Sequence, residues 1–264
     1  MSAVQQNNHT GIGIGSDANI REPRIQAGHE RTGTNSVTHR VFAIGDIHGC
    51  CRTFRQMLSA QIGLCKKDTL YLLGDYIDRG PDSKGVIETL LELQAHGYDI
   101  HPLMGNHEAM LLQGLEPGGS LHEWLEYGGR ATLKSYGIEH PCEMPAEHIR
   151  FFRSLPLYAR TDTHILVHAV LNFCLEDPFS REGEQAMLWD RRQKPDRKKQ
   201  MGRKLVVGHS IRHEDEIRKN LKADLIMLDN GCYRGNMYNG FGCLAAYDLN
   251  SGQLYLQEHC DGSQ

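Results

Sequence analysis

Polar residues follow glycine at the ends of four short, apolar, β-rich runs of this chain, and this repeated pattern most restricts its fold. The pairs are Gly45-Asp46, Gly74-Asp75, Gly105-Asn106 and Gly208-His209. A fifth run, Ile165-Leu166-Val167, ends directly in His168. Ligands of open α/β sheets bind at the carboxyl ends of the strands. We therefore expect these side chains to converge at one edge of a sheet.

Helical patterns alternate with the apolar runs. Runs such as Val41–Ile44 and Leu70–Leu73 have the length and composition of buried strands. The apolar residues of Cys51–Ile62 and of Ser83–His96 recur every three or four positions, which is the spacing of one helix face. The order of strand, helix and strand predicts an α/β fold with buried parallel strands.

The first 39 residues differ from the rest of the chain in composition and in hydrophobic pattern. They are rich in Asn, Gly, Thr, Gln, Ser and His and lack apolar periodicity, so we expect residues 1–39 to be a disordered tail. Residues 40–264 are then expected to form a single domain. Within it, residues 108–160 have a mostly helical pattern, which we interpret as an insertion or cap.

Composition excludes several classes of protein. With 39% hydrophobic and 23% charged residues and a formal net charge of −4, the chain is typical of a globular protein and unlike a protein that coats nucleic acid. It contains no apolar run of about 18 residues and no signal-peptide pattern, so we expect a cytoplasmic location and no membrane association. The eight cysteines form no C-x-x-C pair, which favours free thiols.

The polar residues at the strand ends have the chemistry of a metal site. A turn explains each glycine pair singly, but it does not require His48, the triplet Asp78-Arg79-Gly80 or the pair His107-Glu108. Carboxylate, imidazole and amide donors without cysteine suit Mn²⁺, Fe or Zn²⁺ held without thiolates. The donors outnumber the ligands of one tetrahedral ion, which favours a two-metal site.

Three motifs carry a resemblance to a known family: Gly45-Asp46-Ile47-His48-Gly49, Gly74-Asp75-Tyr76-Ile77-Asp78-Arg79-Gly80 and Gly105-Asn106-His107-Glu108. Together with His168 and His209, they resemble the signature of the metallophosphoesterase superfamily, and in detail its phosphoprotein phosphatase branch of bacterial and phage type. The match runs from about Val41 to Gln257. It implies a four-layer α/β/β/α sandwich with a helical insertion.

The resemblance also implies two divalent metal ions, Mn²⁺ in the first place with Fe or Zn²⁺ as alternatives. A carboxylate and a hydroxide would bridge them. The ligands that the resemblance implies are, for the first ion, Asp46, His48 and Asp75 and, for the second, Asp75, Asn106, His168 and His209.

Four further residues have roles in the chemistry that the resemblance implies. His107 would protonate the leaving group, and Asp78 would hold its imidazole ring. Arg79 would bind phosphate oxygens through its guanidinium fork. The segment Met187–Arg192 resembles the family's Leu-Trp-x-Arg element, which favours Arg191 as a second phosphate ligand, with Arg192 as an alternative.

These residues support three functional hypotheses. The main one is a metal-dependent phosphomonoesterase that removes phosphate from phosphoserine and phosphothreonine in proteins by attack of the bridging hydroxide. The alternative is a symmetrical dinucleoside tetraphosphate hydrolase, acting on diadenosine tetraphosphate, because those enzymes share the motifs and a similar helical insertion. A non-catalytic binding scaffold of the same fold is the third. The expected partner is accordingly a phosphoprotein or a dinucleotide.

Overall fold

The β-strands of the chain form two sheets. The computed structural model describes residues 39–191 and 194–262, so the alternative phosphate ligand Arg192 and all of the predicted tail except His39 lie outside the described residues. The strands are β1 Val41–Ile44, β2 Thr69–Leu72, β3 Asp99–Pro102, β4 Tyr158–Arg160, β5 His164–Val167, β6 Lys204–Val207, β7 Leu225–Met227, β8 Cys243–Asp248 and β9 Leu254–Glu258.

Both sheets have a parallel centre and antiparallel margins. The first sheet has the order β3-β2-β1-β8-β9, and the second has the order β4-β5-β6-β7. Strands β1 to β3 are parallel, as the sequence predicts, and so are β5 to β7. Strands β4, β8 and β9 pair in the antiparallel direction. The prediction of parallel strands therefore holds for the strands that end in the glycine and histidine motifs.

Helices connect the strands and cover the sheets. They are α1 Cys51–Gln56, α2 Ser83–Ala95, α3 Asn106–Leu115, α4 His122–Trp124, α5 Arg130–Tyr136, α6 Ala146–Ser154, α7 Glu184–Trp189 and α8 Glu214–Asn220. Short π-helical segments continue α1 and α4, over Met57–Gln61 and Leu125–Gly129. Three 3₁₀ turns cover Pro141–Glu143, Arg181–Gly183 and Cys232–Met237. None of the described helices is long and apolar enough to cross a membrane.

Successive apolar residues of β1 and of β5 pack in different cores. In β1, Phe42 packs in the core beneath the helices, whereas Ala43 packs in the core between the sheets. In β5, Leu166 joins the core between the sheets, and Val167 joins a third core that includes Met187 of α7. Because successive side chains of a strand point to opposite faces, each sheet has a core on both sides. The four-layer α/β/β/α architecture is thereby confirmed.

Close contacts at glycine bring the strand ends together. A Cβ atom on Gly45 would lie 2.5 Å from the carbonyl oxygen of Leu228, which follows β7 in the other sheet. A Cβ atom on Gly74, which has φ 98°, would lie 2.6 Å from the Cα atom of Gly105. Only glycine fits such approaches without displacing the backbone. The glycines of the strand-end pattern therefore allow both sheets to converge at one edge.

The segment predicted as an insertion is helical over most of its length. It contains nearly all of α3, the helices α4 to α6 and, in its last three residues, strand β4. Trp124 of this segment is fully buried in the core beneath the helices. The backbone amide of Lys84 in α2 donates to the hydroxyl of Ser135 in α5 at 2.8 Å. The segment thus packs directly on the helices that cover the first sheet.

We expect Gly45→Ala to destabilise the protein by about 1–3 kcal/mol, because the added methyl group must displace the backbone at Leu228. Urea denaturation, followed by circular dichroism, would measure the change in midpoint. Gly262→Ala is the matched control, since a Cβ atom at Gly262 meets nothing within 4 Å. Equal midpoints for Gly45→Ala and the unmodified protein would contradict the close approach of the two sheets.

Candidate active site

A left-handed backbone marks the predicted site. Among the described residues, six that are not glycine have positive φ, and five of these are predicted site residues: His48 (46°), Asp75 (53°), Asp78 (74°), Arg79 (67°) and His209 (62°). Residues with a Cβ atom seldom adopt this conformation. Where they do, the surrounding structure holds them in it, and such residues are concentrated at functional sites. The loops after β1, β2 and β6 are therefore shaped to present particular side chains.

One buried carboxylate joins the loops after β2 and β3. Glu108 is fully buried, and its two oxygens accept hydrogen bonds from four backbone amides. The donors are Gly105 (3.1 Å), Asp75 (3.0 Å), Tyr76 (2.8 Å) and Ile77 (3.3 Å). The carbonyl oxygen of Asp75 in turn accepts from the amide of His48 at 2.8 Å. Glu108 thereby fixes the position of the loop that carries Asp75.

The Asp75 carboxylate lies between two groups of possible metal ligands. Its Oδ2 atom is 3.4 Å from Nε2 of His48, and its Oδ1 atom is 3.5 Å from Nε2 of His168. The ligand atoms of His48, Asp75 and His107 lie within 4.8 Å of one another, as do those of Asp75, His168 and His209. Because a carboxylate has two oxygens, Asp75 can contribute to both groups.

Asn106 contacts both histidines of the second group. The Oδ1 atom of Asn106 is 2.9 Å from Nε2 of His168 and 3.0 Å from Nδ1 of His209. The two imidazole nitrogens are themselves 3.1 Å apart. The structure thus brings together three residues that arrive from the ends of β3, β5 and β6.

The far side of each imidazole ring is held by a backbone carbonyl. Nδ1 of His48 lies 2.9 Å from the oxygen of Ile77, Nδ1 of His168 lies 2.8 Å from that of Leu73, and Nε2 of His209 lies 3.2 Å from that of Trp189. A ring nitrogen that donates to a carbonyl carries the hydrogen, so the opposite nitrogen turns a lone pair toward the cluster.

At His168 and His209 the lone pairs face the neighbouring oxygens of Asn106 and Asp75, whereas the lone pair of His48 accepts from Nη1 of Arg79. Such an arrangement is stabilised by a cation, and imidazole, carboxylate and amide donors fit a divalent transition metal. Burial lowers the pKa of His48 and of His168, and it lowers that of His209 to about 3, which keeps all three rings neutral, as metal ligation requires. The donor set therefore fits divalent ions on both sides of Asp75.

Asp46 lies at the same sheet edge but belongs to neither group. Both of its carboxylate oxygens accept from the backbone amide of His209, each at 3.0 Å. Burial raises the pKa of Asp46, and the charges of Asp229 and Asp75 raise it further. The carboxylate is thus placed where negative charge accumulates, although its contact in this structure is the amide of His209.

His107 and Asp78 form a buried pair. Nδ1 of His107 is 2.6 Å from Oδ2 of Asp78. The other oxygen of Asp78 accepts from the indole of Trp124 at 3.1 Å and from the hydroxyl of Thr132 at 2.6 Å. Burial lowers the pKa of His107, but the carboxylates of Asp75 and Asp78 outweigh it and hold that pKa above its ordinary value. The helical segment therefore supports this pair.

The two predicted phosphate arginines flank the cluster. In Arg79, Nη1 is 2.7 Å from Nε2 of His48, and Nη2 is 2.8 Å from Nε2 of His107. Arg191 is exposed, and its Nη1 atom donates to the carbonyl of His209 at 3.3 Å. One guanidinium group therefore stands beside each group of ligands, where it can meet an anion.

Comparison with known proteins identifies the family. The family model described as calcineurin-like phosphoesterase matches residues 39–231, which include every predicted site residue. The chain belongs to the calcineurin-like phosphoesterases. The predictions of a metallophosphoesterase and of a metal-dependent hydrolase are thereby confirmed at the level of the superfamily.

The similar curated proteins are named as symmetrical bis(5'-nucleosyl)-tetraphosphatases. One from Aromatoleum aromaticum is 33% identical over 135 residues, covering 50% of this phosphoesterase and 44% of the relative. Another from Nitrosomonas europaea is 30% identical over 160 residues, covering 57% and 53% of the two chains. This phosphoesterase thus spans about half the length of the curated relatives that it matches.

The fold also recurs among solved structures. A cold-active protein tyrosine phosphatase superposes with a TM-score of 0.58 at 18% identity, covering 85% of this phosphoesterase and 80% of the phosphatase. At this level of identity the similarity concerns the fold alone.

Sequence reasoning assigned no role to two further residues of the site. Glu108 ends the motif Gly105-Asn106-His107-Glu108, but its contacts with four amides depend on folding. Asp229 is buried and its carboxylate accepts from the amide of Gly231 at 2.8 Å, while burial raises its pKa to about 6. The sequence did contain a signal for Asp229, because this residue directly follows the apolar run Leu225–Leu228, just as His168 directly follows Ile165–Val167.

Replacing Glu108 by Gln should test whether its carboxylate organises the loops. Each oxygen accepts from two amides, so an amide NH₂ group on either side would face two donors. We expect a loss of about 2–4 kcal/mol in unfolding free energy, measured by urea denaturation. Glu88→Gln on the exposed face of α2 is the matched control. A loss no larger than that of the control would show that Glu108 does not hold the loops.

Proposed function

We propose that this phosphoesterase hydrolyses symmetrical dinucleoside tetraphosphates such as diadenosine tetraphosphate. The observation that carries a phosphoryl-transfer function is the pair of ligand groups that share Asp75, each with a guanidinium group beside it. The choice of substrate is supported by the names of the curated relatives, symmetrical bis(5'-nucleosyl)-tetraphosphatases. Symmetrical cleavage of such a substrate releases two nucleoside diphosphates.

The ligand residues would hold two divalent ions. One ion would be held by Asp46, His48 and Asp75, and the other by Asp75, Asn106, His168 and His209. When bound, a pair of divalent ions activates water as a nucleophile and neutralises charge on the phosphoryl group. We propose Mn²⁺ as the metal and the cytoplasm as the location of the protein.

The protein's own residues would bind the phosphate chain and complete the reaction. Arg79 is half-buried, and its guanidinium group can direct parallel N–H groups at phosphate oxygens. Arg191 is exposed beside His209 and can contact another phosphate of the substrate. A tetraphosphate carries several negative charges, so two arginines on opposite sides of the cluster suit it well.

His107 would deliver a proton to the leaving group. Its Nδ1–H bond to Asp78 fixes the ring, which leaves Nε2 directed toward the cluster, 3.9 Å from the Asp75 carboxylate. Trp124 and Thr132 hold Asp78 in turn, so its carboxylate cannot rotate away from His107 without losing two hydrogen bonds. Nη2 of Arg79 lies 2.8 Å from this Nε2, so His107 would present a proton there once Arg79 turns to the phosphate oxygens.

The serine/threonine protein phosphatase function and membership of the phosphoprotein phosphatase branch stay predictions. The same ligand set and the same proton donor would serve a phosphoserine or phosphothreonine substrate. The two substrates differ in the leaving group, which is a phosphate oxygen in the dinucleotide and an alkoxide in the phosphopeptide. A paired assay can therefore separate them.

We expect a higher kcat/KM for diadenosine tetraphosphate than for a phosphothreonine peptide when the full chain is supplied with Mn²⁺. Chromatography of the products should give ADP from the dinucleotide, and release of inorganic phosphate would report on the peptide. Asp75→Asn serves as the inactive blank, and Asp99→Asn, at an exposed position of β3, serves as its matched control. A preference for the peptide would support the protein phosphatase instead, and turnover of neither substrate would support a binding scaffold.

His107→Asn should affect the two reactions unequally. An alkoxide is a poor leaving group, so we expect loss of the proton donor to slow peptide hydrolysis by about 10²–10⁴-fold. A phosphate oxygen leaves more readily, and we therefore expect a smaller loss for the dinucleotide. Comparison of kcat for both substrates gives the measurement. Equal losses would argue that His107 binds the phosphate chain and does not donate the proton.

A further inference from the structure

A second cluster of metal-binding side chains lies outside the phosphoesterase site. Cys50 precedes α1, Cys232 begins the 3₁₀ turn after β7, and His259 follows β9. The donor atoms of these three residues lie within 4.8 Å of one another. Cys50 and Cys232 are buried, with 0% and 1% of their surface exposed. The cluster therefore assembles two thiols and an imidazole from distant parts of the chain.

The thiol of Cys50 donates to the carbonyl oxygen of His48 at 3.5 Å. Neither cysteine is part of a disulfide. The Nδ1 atom of His259 is buried and has no hydrogen-bond partner among the described residues. A buried polar nitrogen without a partner costs free energy, and coordination to a metal ion would remove that cost.

We propose that Cys50, Cys232 and His259 form a Zn²⁺ site separate from the two ligand groups that share Asp75. Thiolate and imidazole are the donors that protein-bound Zn²⁺ prefers. On binding, both thiols release their protons to solvent, and the two thiolate charges balance the charge of the ion. The site is then neutral overall, so its burial carries little electrostatic cost. Three protein ligands leave the fourth tetrahedral position to a solvent molecule.

The two kinds of site differ in the metal that they favour. The groups around Asp75 contain no sulfur, and their oxygen and nitrogen donors accept Mn²⁺ or Fe as well as Zn²⁺. The sulfur donors of Cys50 and Cys232 select against the hard ions Mg²⁺ and Mn²⁺. One protein can therefore hold two ions in its phosphoesterase site and a different ion in this cluster.

The position of the cluster connects it to the phosphoesterase site. Cys50 is two residues after His48 in the chain, and Cys232 adjoins Tyr233. The ring of Tyr233 makes an edge contact with His48, at 5.2 Å between centroids, and lies 4.8 Å from the guanidinium carbon of Arg79. An ion in the cluster would therefore restrain the backbone behind two residues of the site.

The cluster also ties the end of the domain to its first helix. His259 is two residues before Asp261, whose carboxylate accepts from the amides of Arg52 (2.7 Å) and Thr53 (3.0 Å) in α1. Zinc would therefore stabilise a junction of three segments that are far apart in sequence. This spacing also explains why no C-x-x-C pattern announced the site.

Substitution with Co²⁺ gives a direct test. Thiolate bound to Co²⁺ produces a sulfur-to-metal charge-transfer band in the near ultraviolet, and the sulfur-free groups around Asp75 produce none. We expect the reduced full chain to show this band with Co²⁺ and to lose it when Zn²⁺ is added. Cys232→Ser should abolish the band. Cys51→Ser, a buried cysteine whose sulfur contacts Thr89, and Asp75→Asn should both retain it.

Circular dichroism would establish that each variant is folded. The variant His259→Asn is a second test, because it removes the imidazole ligand and retains both sulfur atoms. We expect the His259→Asn protein to bind Co²⁺ at least about 10-fold more weakly, judged from titration of the band. Absence of the band in the reduced, unmodified protein would overturn the proposal. Persistence of the band in Cys232→Ser, or its loss in Cys51→Ser, would also overturn it.

Discussion

The carboxylate of Glu108 accepts four backbone amide hydrogen bonds, and the geometry of the site depends on this interaction. It joins the loop after β2 to the start of α3, so that Asp75 and His107 are positioned together. The amide of His107 donates to Oδ1 of Asp75 at 3.1 Å, which orients the shared carboxylate. The amide of Asp75 itself donates to this clamp, which helps to offset the cost of the left-handed conformation of Asp75.

The strand-end pattern allowed much of the fold and site to be predicted from sequence. It works because the carboxyl ends of parallel strands share one edge, so a local signal specifies a long-range arrangement. Asn106, His168 and His209 are in contact as that argument requires. Strands β8 and β9 are joined through Asn250-Ser251-Gly252, which is typical of the turn of an antiparallel hairpin. Strand β4 carried no comparable signal, since a short apolar run gives no direction of pairing.

Other features could not be read from the chain because they depend on contacts distant in sequence. Glu108 occupies the third position of α3, where an acidic residue commonly caps a helix, so its sequence context suggested nothing more. The cluster of Cys50, Cys232 and His259 is likewise invisible to any motif of short spacing. The hydrogen bond from the amide of His209 to the carboxylate of Asp46 likewise joins residues 163 positions apart in the chain.

The left-handed backbone of five site residues has a consequence for how this protein can change over evolution. Each such residue costs about 1–3 kcal/mol, set against a net stability of roughly 5–15 kcal/mol for a typical domain. Glycine at any of the five positions would relieve the strain but delete a reactive side chain. Mutational robustness must therefore come from the layers of the sandwich remote from this edge, where repacking leaves the chemistry intact.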